Sequence, residues 1–360
     1  MRVPDGIETP SLFIDLDRVE ANIARMQATI SARGVNVRPH VKTHKSVRIG
    51  RMQIEAGAYG ITAASVGEAE VFAGAGFDDI LIAFPVWADA PRAARIRALH
   101  ERTTLSIGVD SEEAASQLAA AVRGAAHPLD VFIELDCGAR RSGIPAESAG
   151  DLAVACARLG LNVRGVFAYA GHGSRSREAR LSASEDEVAA VRIATERIAA
   201  RGLDIEVLSA GTTPTAGLSA RAPVTEVRPG EYVFGDVNNV LLGSCSLDDV
   251  ALHLAGTVVS TAVPGQVVLD VGSKALGREG SPERGYGWVP GVPGSFLRLL
   301  NEHHAFLTVP PEVPRPAVGD VLAIVPNHVC PPVNLFDEYA VVRAGVVVDT
   351  WPVDARGHLT

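Results

Sequence analysis

No two of the four cysteines, Cys137, Cys156, Cys245 and Cys330, stand in a CxxC pair. That spacing excludes a redox dithiol and the common zinc knuckles, so free thiols in a reducing cytoplasm are expected. The opening MRVPDGIETP has no apolar core, and no secretory signal is read there. No apolar run reaches membrane-spanning length. Charge of one sign never accumulates. The net charge of −9 is spread over an evenly mixed sequence, which argues against nucleic acid or an anionic membrane as the main partner. No repeat or low-complexity tract is present.

What is present is alternation. Strand-like runs fall at residues 36–41, 60–64, 79–84, 105–109, 130–135, 162–169, 205–209 and 225–228. A helix is expected over 43–55. Segments 66–75, 89–100, 111–122, 146–159 and 182–201 carry apolar residues at three- and four-residue spacing. An earlier helix places Val19, Ile23, Met26 and Ile30 on one face, with Asp17 as its N-cap. Eight strands alternating with helices predict a (β/α)8 TIM barrel, with an open doubly wound sheet as the structural rival. From about residue 243 helical periodicity ends. Runs at 258–263, 266–271, 305–309, 321–325 and 339–350 predict a mostly β C-terminal domain, with Ala344-Gly345 as a hairpin turn.

In such a barrel the reacting groups follow the strands. The first strand is followed by HVKTHKS with Lys42, the fifth by DCGARRSG with Arg140 and Arg141, the sixth by YAGHGS with Tyr169 and His172. The seventh is followed by SAGTTPT and the eighth by RPGEYVFGD. A lysine that can form a Schiff base, a Gly-Thr-Thr loop that can cradle a phosphate, and an arginine for a ring nitrogen suit a phosphate-bearing aldehyde cofactor. Taken singly, each has a plainer reading: a solvated lysine, an ordinary turn, a solvated arginine pair, a loop histidine. Their joint placement carries the functional one.

RPHVKTHKS resembles the cofactor-lysine segment of the D-threonine aldolase and D-serine dehydratase group, within the alanine-racemase-like fold of PLP enzymes. PSLFIDLDRVEANI, IELDCGARRSGI, SAGTTPT, EVRPGEYVFGD, LDVGSKAL and PNHVCPPVNL match in order along nearly the whole chain. The resemblance implies that Lys42 carries pyridoxal 5'-phosphate and that Arg141 meets its pyridine nitrogen. It places Gly211 and Thr212 on the phosphate, with Gly230 and Tyr232 nearby, Tyr169 at the cofactor and His172 in the active site. It also assigns residues 1–16 to the β domain. A barrel over 17–242 and a β domain of 1–16 plus 243–360 are thus expected, in a homodimer.

His328 and Cys330, in PNHVCPP, stand at an i, i+2 spacing that on a strand puts both side chains on one face. Imidazole and thiolate favour zinc over manganese or magnesium. Aldolases of the group resemble His-Cys-Asp, with a carboxylate as second ligand, and dehydratases His-x-Cys. This chain sits nearer the dehydratases. The implied reaction is loss of the β-hydroxyl from a β-hydroxy D-amino acid such as D-serine, D-threonine or 3-hydroxyaspartate, giving a keto acid and ammonia. Retro-aldol cleavage to glycine and an aldehyde, with His172 as base, is the alternative. A racemase would need a second base, and Tyr286 and Tyr339 are the only tyrosines in the β domain. Non-enzymatic PLP-binding proteins resemble the barrel alone. Glu302-His303, Asp270 and Lys274 are open between site and scaffold.

Overall fold

A computed structural model describes residues 3–360. Its strands are β1 (Ser11–Asp15), β2 (Asn36–Val37), β3 (Ile61–Ala63), β4 (Asp79–Pro85), β5 (Thr104–Val109), β6 (Asp130–Leu135), β7 (Asn162–Ala168), β8 (Val207–Ala210) and β9 (Glu226–Val227). Then follow β10 (Leu252–Ser260), β11 (Val267–Leu269), β12 (Gly287–Trp288), β13 (Leu297–Leu300), β14 (Ala305–Leu307), β15 (Val321–Pro326), β16 (Glu338–Arg343) and β17 (Val346–Pro352). Among the described residues no helix is long and apolar enough to cross a membrane.

The chain divides into two compact units. One holds Ala24–Lys42, Ile49–Gly230 and His358–Thr360. Its eight parallel strands run β2-β9-β8-β7-β6-β5-β4-β3. A parallel bridge between His40 and Thr62, with Tyr59 N–H on Val37 O (2.9 Å) and Thr62 N–H on Pro39 O (2.8 Å), joins the two ends. That closure decides for the barrel over the open sheet. Leu81, Phe132, Phe167 and Val207 fill its interior. Gly165 is required there, because a Cβ would stand 2.2 Å from the Val207 carbonyl. The Arg38 guanidinium is 1% exposed and bonds Glu226 (2.6 Å) and Asp79. Burial pulls Arg38 down, but the two carboxylates more than compensate and hold it above its ordinary value.

The other unit holds the described residues up to Ile23 together with Thr43–Arg48 and Glu231–Gly357. Its nine-stranded sheet runs β13-β14-β11-β10-β1-β16-β17, with β15 paired to β10 and β12. β1 lies between β10, antiparallel, and β16, parallel. Phe13, Ala255, Ala323 and Val342 form its core with Val3. Ala344 and Gly345 both have positive φ, the conformation of a tight hairpin turn between β16 and β17.

The structure departs from the expected boundaries for physical reasons. Arg18 and Asn22 donate to the Val250 (2.7 Å) and Asp249 (2.8 Å) carbonyls, drawing the start of the first helix to the β unit. That helix begins at Leu16, and Asp15, not Asp17, accepts from the Arg18 N–H (3.1 Å). The helix expected from 43 starts only at Val47. Lys45 has φ +49, and the His44 ring captures the Ser46 N–H (3.1 Å), so residues 44–46 cannot continue a helix. Thr43–Arg48 is tied by Lys45 Nζ to Ala355 O (3.2 Å), Val47 N–H to Asp354 (2.7 Å) and the Tyr339 hydroxyl to His44 O. Conversely, the terminal Thr360 carbonyl accepts from Gly67 N–H (2.8 Å) in the barrel unit.

Candidate active site

Within the barrel unit, Lys42 lies half-buried in a 3-10 turn, Val41–Thr43, immediately after the first strand region. The other lysine of the motif, Lys45, is buried and donates to the Ala355 carbonyl (3.2 Å). Residues 136–143 form a tight loop after β6. Asp136 accepts the N–H groups of Gly138 (2.9 Å) and Arg140 (3.0 Å). Burial would raise its carboxyl, yet those bonds prevail and hold it below the ordinary value. The loop presents Arg141, half-exposed, with its guanidinium 4.2 Å from the Tyr169 ring centroid and 3.5 Å from Glu134. Burial raises the Glu134 carboxyl, although Ser142 donates to it (2.8 Å).

His172 follows β7 in a 3-10 turn, Gly171–Arg175. Its Nε2 is 3.0 Å from Asp186 Oδ2, and its buried Nδ1 has no hydrogen-bond partner. Gly138 has φ +119, a conformation that favours glycine, and a Cβ there would lie a tight 3.2 Å from the imidazole. After β8, the Gly211 N–H expected to face a phosphate is instead donated to buried Glu187 (3.1 Å), and the Thr212 N–H to Thr215 Oγ1 (2.9 Å). Gly211 has φ +78, and a Cβ there would stand 2.7 Å from the Val227 side chain. The Thr213 hydroxyl receives the Gly230 N–H (3.1 Å), so the loops after β8 and β9 are joined. Burial raises the Glu187 carboxyl despite these donors.

Sequence reasoning does not single out Arg228, which is buried just past β9. It donates to the Ala168 carbonyl (2.7 Å) and to Ser209 Oγ. Burial lowers this guanidinium, and Glu226, Glu187 and Glu134 oppose the shift.

Within the β unit, His328 and Cys330 are not on a strand as their spacing implied. β15 ends at Pro326, and a short helix, Cys330–Val333, follows. Pro331 and Pro332 cannot extend a ladder and are preset for a first helical turn. The turn still brings the donors together. One ligand atom each from Glu231, His328 and Cys330 lie within 4.8 Å of one another, among the described residues the one such set of three. His328 Nε2 faces Glu231 (3.3 Å), and its Nδ1 is 2.6 Å from Glu279. Cys330 Sγ lies 3.5 Å from Thr43 Oγ1. Burial would lower the His328 imidazole, but hydrogen bonds to Cys330, Glu231 and Glu279 outweigh it and hold the ring well above its ordinary value. Mixed N, S and O donors, with a carboxylate behind the imidazole, fit a borderline divalent metal.

Glu231 and Glu279 escape sequence reasoning. In the sequence Glu231 is only one member of a barrel-rim segment, and Glu279 is 49 residues from His328 with no motif of its own. Asp270 accepts from Thr9 (2.6 Å) and from the Thr257 N–H (2.7 Å), and Lys274 pairs with Glu302 (2.9 Å) at the surface. Tyr339 is fully buried on the His44 carbonyl and is no second base.

A family model described as alanine racemase, N-terminal domain, matches residues 14–238. The chain belongs to this family. A second model, a putative serine dehydratase domain, matches residues 251–342. The chain is 37% identical to D-threo-3-hydroxyaspartate dehydratase of Delftia sp., covering 96% of this chain and 97% of that protein. It is 34% identical to D-threonine aldolase of Arthrobacter sp., covering 98% and 93%. A solved structure of a cysteine-to-alanine mutant of D-threo-3-hydroxyaspartate dehydratase, described as the metal-free form, superposes with a TM-score of 0.89 at 36% identity, covering 96% and 97%. These relatives are PLP lyases of D-amino acids, on an alanine-racemase-like barrel followed by a mostly β domain.

Proposed function

We propose that the chain is a PLP- and divalent-metal-dependent lyase that dehydrates a β-hydroxy D-amino acid to a keto acid and ammonia, as a cytoplasmic homodimer. The observation that carries the reading is the donor set Glu231, His328 and Cys330, in which a thiol takes the place that a carboxylate holds in the group's aldolases. The 37% identical relative named for dehydration supports it.

When bound, PLP supplies an electron sink at Cα, and the metal, zinc before manganese or magnesium, supplies Lewis acidity at the β-oxygen. Lys42 Nζ would hold the cofactor and is the group placed to take the substrate's Cα proton. The Thr212 and Thr213 hydroxyls, with Gly230 and Tyr232, hold the phosphate. Gly211 shapes that loop by donating its N–H to Glu187 rather than to the phosphate. Arg141, stacked on Tyr169, would meet the pyridine nitrogen of the cofactor. His328 and Cys330 hold the metal, and Glu279 fixes the His328 tautomer from Nδ1.

Retro-aldol cleavage is the second reading, and one observation favours it. His172 is backed by Asp186 and keeps a free, buried Nδ1, the arrangement of a general base.

The test is incubation of the PLP-loaded protein and zinc or manganese with D-threonine, D-serine, 3-hydroxyaspartate and the L-enantiomers, with products identified by mass spectrometry. A 2-keto acid with ammonia from a D-substrate, lost on chelation and restored by metal, is expected. Glycine and an aldehyde would transfer the assignment to the aldolase reading. No turnover of any substrate would overturn both.

A further inference from the structure

The carboxylate of Glu231 does not simply drift beside His328 and Cys330. It is the first residue of a 3-10 turn, Glu231–Val233, and its side chain is 29% exposed. Its Oε2 accepts a hydrogen bond from Asn239 Nδ2 (2.8 Å). Asn239 is 1% exposed and is itself fixed on every side. Its Nδ2 also donates to Asp236 Oδ1 (2.7 Å), its backbone N–H donates to the same oxygen (2.8 Å), and its Oδ1 accepts from Ser244 (2.9 Å).

Asp236 has no exposed surface and works in two directions. Oδ1 caps the helix Val237–Leu242 through Asn239, and Oδ2 accepts the backbone N–H of Val329 (3.0 Å). Val329 is the residue between His328 and Cys330. A further bond, Asn238 N–H to the Asn327 carbonyl (3.1 Å), ties the same helix to the same turn. Two stretches about a hundred residues apart are therefore held by one buried carboxylate and one buried amide. One stretch brings Glu231, and the other brings His328 and Cys330.

We propose that Glu231 is a third protein ligand of this metal site, and that Asp236 and Asn239 are the positioning residues that hold the three donors in register. The inference rests on the metal reading above and adds to it. Three protein ligands would leave fewer positions for water and the substrate oxygen than two would.

The test uses the full-length PLP-loaded protein, stripped with chelator and titrated with Co2+ alone. The thiolate-to-cobalt band reports Cys330, and the strength of the visible ligand-field bands reports coordination number. Wild type is expected to show the thiolate band, lost in Cys330→Ala, with strong ligand-field bands. Glu231→Gln should keep the thiolate band, weaken Co2+ affinity by at least about ten- to a hundredfold and weaken the ligand-field bands as water replaces the carboxylate. Asn239→Ala and Asp236→Asn should shift the same bands in the same direction, which a loss of fold stability alone would not do. Wild-type affinity and spectrum in Glu231→Gln would overturn the third ligand. A normal spectrum in both folded positioning variants, with Glu231→Gln altered, would overturn the clamp alone. A wild-type protein without a thiolate band would instead sink the underlying metal reading.

Discussion

His253 should make the β unit sensitive to acid. It lies on β10, opposite Phe13 of β1, with the two rings stacked at 5.4 Å. The same β10 pairs with β15, the strand that leads into His328. His253 is 2% exposed and its Nδ1 has no hydrogen-bond partner. Burial, with the Arg18 charge adding to it, pulls the imidazole from 6.5 down to about 3. The folded state therefore refuses a proton that the unfolded chain accepts between those two values. Stability is present above about pH 6.5 and is lost as pH falls toward 3. Each pH step of one between those values removes about 1.4 kcal/mol, so the loss is about 1 kcal/mol at pH 5.5, about 3 at pH 4.5 and about 5 when complete. His253→Phe keeps a ring on Phe13 and removes the titration. Urea unfolding of both proteins should be followed by Trp288 and Trp351, which lie in this unit, in a Trp87→Phe background that silences the barrel. The stability difference between the two should move by about 3 kcal/mol in favour of the variant between pH 7.5 and 4.5. Curves that stay parallel over that range would refute the assignment of acid sensitivity to His253.

Lys42→Ala should abolish the visible absorption of lysine-bound PLP and all turnover while leaving the circular dichroism unchanged; an intact band would remove Lys42 from the mechanism. Glu226→Ala strands the buried Arg38 beside Asp79 alone and takes an acceptor from Ser209, so barrel stability should fall by about 3–5 kcal/mol in urea titrations. A loss under about 1 kcal/mol would mean that water or Asp79 compensates.

Much of the barrel is legible in the sequence because it rests on local signals. Apolar runs of strand length separated by periodic helices persist whatever their neighbours do, and Lys42, Arg141 and His172 fall in predictable places after strands. The His-x-Cys pair is also visible, since both residues lie within one turn. Its geometry is not, because strand alternation gives way where two prolines impose a helical turn. The break at Lys45 is equally hidden: a lysine at positive φ carries no sequence mark, and only the ties of residues 43–48 to Asp354, Ala355 and Tyr339 explain it.

The sequence by itself determined the two kinds of architecture, the order of the strands and the residue types that PLP and a metal need. Those follow from periodicity and from motifs a few residues long. Tertiary structure alone decided which carboxylates matter. Glu231, Glu279, Asp186 and Asp236 meet their partners across 14 to 97 residues of chain, and a carboxylate's partner is set by folded distance, not by spacing. It also decided that the Gly211 N–H faces Glu187, since that acceptor lies 24 residues away in the chain and only folding brings it there.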